Sequence, residues 1–338
     1  MLEEKLCKIP QQVLSQYKRK ALKKIYKHKG AYHLIGAYDI INHASGADTS
    51  SNKDTQFEYY TFGFSGLLSK ESREDASYDL YKHIQDIYKL YKDDYHVSLN
   101  LVCYSHGGNV ALHLPDIHKK YGSIYDHHIN INTIVLYGTP IQKETARNAQ
   151  HIMFESVLNI YSEGDNIQTS DLISTKDRKS HHTLSHFIDT SSYNYICDAR
   201  IMAEDDSYAF GHLNYWCLDK YYNYFSWTMS TKAQNVVAFL SPLPLVICTP
   251  AFIQLSRDIK HSHAINHIDI SLKKDDHYVI CHAYQHNTHK TLARSSNLYE
   301  HLQTIKEYTL KDWYPESSSS EFLKAGIGLW SAVQSLWN

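Results

Sequence analysis

No stretch constrains this chain more than Leu99-Asn-Leu-Val-Cys-Tyr-Ser-His-Gly-Gly-Asn-Val-Ala-Leu112. An aliphatic, strand-favouring run turns sharply at Tyr104-Ser105-His106-Gly107 and resumes with residues of good helix propensity. A strand that passes into a helix through so tight a turn holds the turn residue in a strained backbone conformation, which needs small neighbours on either side. Gly107 meets that need beyond Ser105, and Gly108 loosens the helix start further. Strand, tight turn carrying a serine, then helix is the context in which a serine hydroxyl is presented as a nucleophile.

The elements around this turn repeat in an α/β order. Residues Tyr32-His-Leu-Ile35 read as a strand running into the glycine-containing loop Gly36-Ala-Tyr-Asp39, and 44–55 is polar and turn-rich. Residues 57–64 alternate as a strand, and from Glu74 to Tyr91 the positions Ala76, Leu80, Ile84, Ile87, Tyr88 and Tyr91 mark one helical face. Strand, helix, Ser105 strand, helix implies parallel strands joined by crossover helices. Ile131-Asn-Thr-Ile-Val-Leu-Tyr137 is a further buried strand closed by Gly138-Thr-Pro140, and Ser156-Val-Leu-Asn-Ile-Tyr161 is another that delivers Glu163-Gly-Asp165. Active sites of open α/β sheets lie at the carboxyl ends of the strands, so Asp165 is expected at the same rim as Ser105. Residues 265–272 and 278–283 read as two late strands around Lys273-Lys-Asp-Asp276, with a closing helix over 297–308.

At the Ser-His-Gly-Gly run the chain resembles the α/β-hydrolase superfamily, in particular its lipase-like and esterase-like members. Cys103 stands where that pattern has its first glycine. The resemblance extends loosely from about Ala31 to Tyr308, with the turn at Ser105 as its specific motif. It implies a mostly parallel sheet with flanking helices and an inserted aromatic-rich cap or lid. The expected organisation is a basic N-terminal helical segment over 1–30, a hydrolase domain over 31–315 with the insertion at about 199–255, and a serine-rich spacer with an apolar C-terminal segment over 316–338. The insertion carries Tyr208, Phe210, Tyr215, Trp216, Tyr221, Tyr222, Tyr224, Phe225 and Trp227, and Pro242, Pro244 and Pro250 break its apolar run. Those prolines argue against a transmembrane helix.

A serine hydroxyl is a poor nucleophile at neutral pH and needs an adjacent base, which in turn needs a group that fixes its tautomer. The resemblance implies the chain order serine, acid, histidine. Ser105 and Asp165 take the first two places, with Asp269 and Asp171 as rival acids. The histidine is expected after the last strand and before the closing helix, a window holding His282, His286 and His289. His286 is favoured there because it lies past the expected strand end in polar company, and His289 and His282 stand as alternatives. The resemblance also implies an oxyanion hole from the backbone amide of His106 and one from Ala37 or Tyr38.

Composition bounds the function. A formal net charge of -2 gives no general reason to expect a nucleic-acid partner. Six scattered cysteines without a Cys-x-x-Cys spacing read as reduced thiols in a cytosol-like compartment. Residues 11–29 form a basic amphipathic segment, read first as a helix docked on the body and secondly as a peripheral membrane contact. Histidines gather at 181, 182 and 186, at 261, 263 and 267, and at 282, 286 and 289, and three of them could in principle hold a hydrolytic metal. No His-Glu-x-x-His motif accompanies them and histidine is common throughout, so neither metal nor cofactor is expected. The expectation is a cytoplasmic or membrane-peripheral ester hydrolase acting through an acyl-enzyme on Ser105, its substrate a small-molecule or lipid ester. The rival is a catalytically inactive protein of the same fold that binds or tethers to membranes.

Overall fold

Ile131-Asn-Thr-Ile-Val-Leu-Tyr137 has no glycine or proline and is dominated by residues that favour strand, and it forms the strand beside the one that carries Ser105. The computed structural model describes residues 6–8, 60–62, 69–91, 96–122, 129–169, 180–189, 196–203, 208–212, 249, 252–253, 267–275, 278–285 and 288–291. In chain order these hold β1 (Leu6–Lys8), β2 (Tyr60–Phe62), α1 (Lys70–Tyr91), β3 (Leu99–Tyr104), α2 (His106–Leu112), α3 (Leu114–Tyr121) and β4 (Ile131–Tyr137). Next come β5 (Ile141–Gln142), α4 (Lys143–Ala146), β6 (Val157–Tyr161), α5 (Asn166–Thr169), β7 (Ser180–His181), β8 (Ile196–Ala203) and β9 (Tyr208–Ala209). The hairpin strands β10 (His267–Asp275), β11 (Tyr278–Gln285) and β12 (Thr288–Thr291) complete the described elements.

The main sheet runs β12-β11-β10-β8-β6-β4-β3, with β9 paired to β8. Strands β3, β4, β6, β8 and β10 are mutually parallel, whereas β11, β12 and β9 pair antiparallel. This is a mostly parallel α/β sheet with flanking helices, as the element order implies. Strand alternation gives β4 two apolar faces, Ile134 and Leu136 on one and Val135 and Tyr137 on the other, all fully buried. Ile134 and Leu136 belong to the core shared with Leu80, Tyr81 and Ile84 of α1 and Val110 and Leu112 of α2. On α1 the Ala76, Leu80, Ile84 spacing of four buries one stripe, and the helix starts where the Ser69 hydroxyl accepts the Ser72 amide at 3.1 Å. Thr249 shares a 2.9 Å hydrogen bond with the Tyr137 hydroxyl, which brings a later part of the chain to the β4 tyrosine.

Three expectations change. Strand β2 pairs antiparallel with β1 in a separate two-stranded sheet, so the strand before α1 is not a parallel neighbour of β3, and part of the segment 1–30 is strand. Residues 199–203 belong to β8, a central strand between β6 and β10, and not to an insertion. Finally, β12 follows β11, extending the late sheet beyond its expected end. The expected helices at 11–29 and 297–308, most of the aromatic segment and the residues 316–338 lie outside the described residues.

Candidate active site

The turn after β3 is built as the residues demand. Ser105 has φ 53° and ψ −132°, alone among the described non-glycine residues in having a positive φ. That conformation is costly for a residue with a side chain and persists only where the surroundings hold it. Here the Ser105 amide donates to the Tyr137 carbonyl at 2.8 Å, and the Gly108 amide donates back to the Ser105 carbonyl at 3.0 Å. A Cβ on Gly108 would stand 2.1 Å from Thr139 Oγ1, so only glycine lets α2 approach the turn after β4 this closely. The side chain of Asn109 locks the same approach, donating to the Pro140 carbonyl at 2.9 Å and accepting from the Thr145 hydroxyl at 2.7 Å.

Asp165 leaves the end of β6 and precedes α5, where its carboxylate acts as a helix cap. Oδ1 accepts the Ile167 and Gln168 amides at 3.1 and 3.2 Å, and the residue is fully buried. His182 Nε2 meets the Asp165 carbonyl at 2.9 Å and fixes the turn from behind, while its ring stacks on Tyr161. The second carboxylate oxygen, Oδ2, faces His212.

His212 decides what this rim can do. Its Nδ1 lies 2.8 Å from Asp165 Oδ2 and its Nε2 lies 2.9 Å from Ser105 Oγ. A carboxylate only accepts, so Nδ1 carries the proton and Nε2 is left to receive the serine hydroxyl. Ser105, His212 and Asp165 thus form one unbroken hydrogen-bonded line from hydroxyl through imidazole to carboxylate, an arrangement chemically able to activate the hydroxyl. Compared with known proteins, the chain matches no family model, no curated protein and no solved structure.

Ser105 and Asp165 come together at one rim, as the sequence predicts. The histidine seen between them is His212, which is not one of the late histidines expected there. His282 sits on β11, opposite Ser271 and Thr291, and His289 sits on β12 opposite Tyr284. Strand β11 is five strands from β3, on the order of 24 Å at the usual interstrand spacing. His286 lies outside the described residues. His212 holds both partners in the place expected for His286. The signal that could have found it is the run Ile196-Cys-Asp-Ala-Arg-Ile-Met-Ala203, a strand followed by a polar loop and Gly211-His212.

The remaining expected residues divide cleanly. His106 directly follows Ser105 as the first residue of α2, and Ala37, Tyr38 and Asp171 lie outside the described residues. Asp269 is no acid for this site, because Arg200 binds it through Nε at 2.8 Å and a terminal nitrogen at 2.9 Å. Among the clustered histidines, His181 and His186 stack on each other, while His182 is turned to the Asp165 carbonyl. Cys103, in the strand below Ser105, packs against the helix-covered core, and burial pushes its thiol up to about 12, so it stays protonated at neutral pH.

Proposed function

We propose that this chain is a serine hydrolase of the α/β-hydrolase type, lipase-like or esterase-like, that cleaves carboxylic esters through an acyl-enzyme on Ser105. The observation that carries the reading is His212 within hydrogen-bond distance of both Ser105 Oγ and Asp165 Oδ2, beside a serine held at positive φ between a parallel strand and a helix. The order of the three residues along the chain, serine then acid then histidine, is the order this kind of hydrolase uses.

In this reading His212 Nε2 takes the Ser105 proton as Oγ attacks the ester carbonyl. The imidazolium is stabilised by Asp165, and it returns the proton to the departing alkoxide as the carbon–oxygen bond breaks. Water then attacks the acyl-serine, His212 again takes and returns a proton, and the carboxylic acid leaves with Ser105 restored. The backbone amide of His106 is the near donor to the oxyanion, with its second donor expected from the Gly36 loop. Fixed donors of this kind are worth about 2.7–4 kcal/mol each in related chemistry.

A series of p-nitrophenyl esters from acetate to palmitate tests the reading. Wild-type protein should hydrolyse at least one of them, and Ser105→Ala and His212→Ala should each lose activity by about 10⁴-fold or more. The chain-length profile then says whether lipid or small esters are preferred. Hydrolysis that survives Ser105→Ala would sink the serine mechanism, and no hydrolysis across the series would favour a binding protein that keeps this fold.

A further inference from the structure

Two hydrogen bonds hold His212 through its two ring nitrogens. By themselves they define a line through the imidazole and do not set the rotation of the ring about that line. A swing of this kind keeps both nitrogen contacts roughly in range but turns the Nε2 lone pair out of line with Ser105 Oγ. Something must fix the tilt of the ring plane, and something must hold the short segment after β9 that carries it.

Tyr104 touches His212 in both ways. Its ring lies 5.1 Å from the imidazole, centroid to centroid, with the planes at 31°. Its hydroxyl donates to the backbone carbonyl of the same residue at 3.0 Å. Tyr104 is also the last residue of β3, in register with Tyr137 of β4, and it directly precedes Ser105. One side chain therefore ties the base, by ring face and by backbone, to the strand end from which the nucleophile hangs.

We infer that Tyr104 is the positioning residue for His212, its ring setting the imidazole tilt and its hydroxyl anchoring the histidine backbone, so that Ser105 and its base move as one unit. The inference rests on the serine-hydrolase reading for its kinetic effects, but not for its geometry. Tyr104 need not contact substrate in this role. Its loss should act on the rate of the chemical steps and leave substrate affinity largely alone.

Two variants separate the ring from the hydroxyl. Tyr104→Phe keeps the ring contact and loses only the carbonyl anchor, whereas Tyr104→Leu loses both. On the best p-nitrophenyl ester, Leu should lower kcat by about 30–100-fold with KM within about twofold, and Phe should restore kcat to within about fivefold of wild type. A second readout needs no activity. In ¹⁵N-histidine-labelled protein, the low-field Nδ1–H proton of His212, assigned by its loss in His212→Gln, should persist in Tyr104→Phe and broaden or vanish in Tyr104→Leu. If Leu fails to fold, as judged by circular dichroism, Phe alone still carries the test through a modest kcat loss with the resonance retained. A folded Leu variant with wild-type kcat and an unchanged resonance would overturn the inference. So would a raised KM at constant kcat, which would make Tyr104 a substrate contact, and so would a Phe variant no better than Leu. Were wild-type protein to hydrolyse no ester, the functional reading would fall, and the resonance comparison would still decide whether Tyr104 sets the ring.

Discussion

Two buried aspartates, one on β8 and one just past the end of the neighbouring β6, are satisfied in different ways. Asp198, on β8, accepts the Leu184 amide at 2.9 Å and the Asn159 side-chain amide at 2.7 Å on Oδ1, and the Ser185 amide at 3.0 Å on Oδ2. Every partner of that carboxylate is an amide that cannot change its protonation. Asp165, past the end of β6, likewise gives one oxygen to two backbone amides, but it gives the other to His212. The first carboxylate is a clamp that pins the turn at 184–186 to the sheet. The second is half clamp and, in the proposed reading, half orienter of His212. Burial and hydrogen bonding alone do not mark a functional acid. What sets Asp165 apart is that the histidine on its second oxygen itself reaches a serine hydroxyl.

This contrast can be broken by substitution, and the largest effect belongs to Asp165→Asn. Asparagine keeps a carbonyl oxygen for the Ile167 and Gln168 amides but sets an NH2 group against His212 Nδ1. That forces the ring proton onto Nε2, where it can no longer receive the serine proton, so kcat should fall by about 10⁴-fold while the melting temperature changes little. Asp198→Asn should do the reverse. One amide group cannot accept from all three donors, so denaturant titration should show a loss of about 2–4 kcal/mol, with kcat of the folded fraction within about threefold of wild type. Equal effects of the two variants on kcat would erase the distinction.

Gly108→Ala should fall between them, because its new methyl meets Thr139 at the foot of the Ser105 turn. The expected loss is about 1–3 kcal/mol of stability together with reduced activity, and Thr139→Ala in the same chain, which removes the two closest atoms, should recover part of both. The smallest effect is expected at Cys103. At pH 8 its half-buried thiol, pushed up to about 12, is almost wholly protonated, so iodoacetamide should modify it on the order of a thousandfold more slowly than an ordinary cysteine, as read by peptide mass spectrometry.

The same contrast explains what could be read from the chain alone. Ser105 was legible because its signal is local: an aliphatic strand, a serine and two glycines within a few residues. Asp165 was legible because Val157–Tyr161 is an unbroken strand that ends just before it, and parallel sheets put their chemistry at that end. His212 was not, because the strand leading to it hides its character. Asp198 and Arg200 interrupt the apolar pattern of β8, and only the tertiary fold supplies the amides around Asp198 and the bidentate Asp269 partner of Arg200. Without those partners the stretch reads as the edge of an aromatic-rich insertion, and the search for a base passes on to the later histidines. Likewise β2 carries the alternation of a strand, but its partner is β1 near the start of the chain, a pairing no local pattern announces.

The central claim is that Ser105 is activated by His212 and not by a histidine of the β11–β12 hairpin. The direct measurement is intact-protein and peptide mass spectrometry after brief exposure to a fluorophosphonate, which transfers its phosphonyl group to an activated serine with loss of fluoride. Wild-type and His286→Gln proteins should be labelled at Ser105 at the same rate, while Ser105→Ala and His212→Gln should remain unlabelled over the same time. Labelling of Ser105 that survives His212→Gln but is lost in His286→Gln would contradict the account.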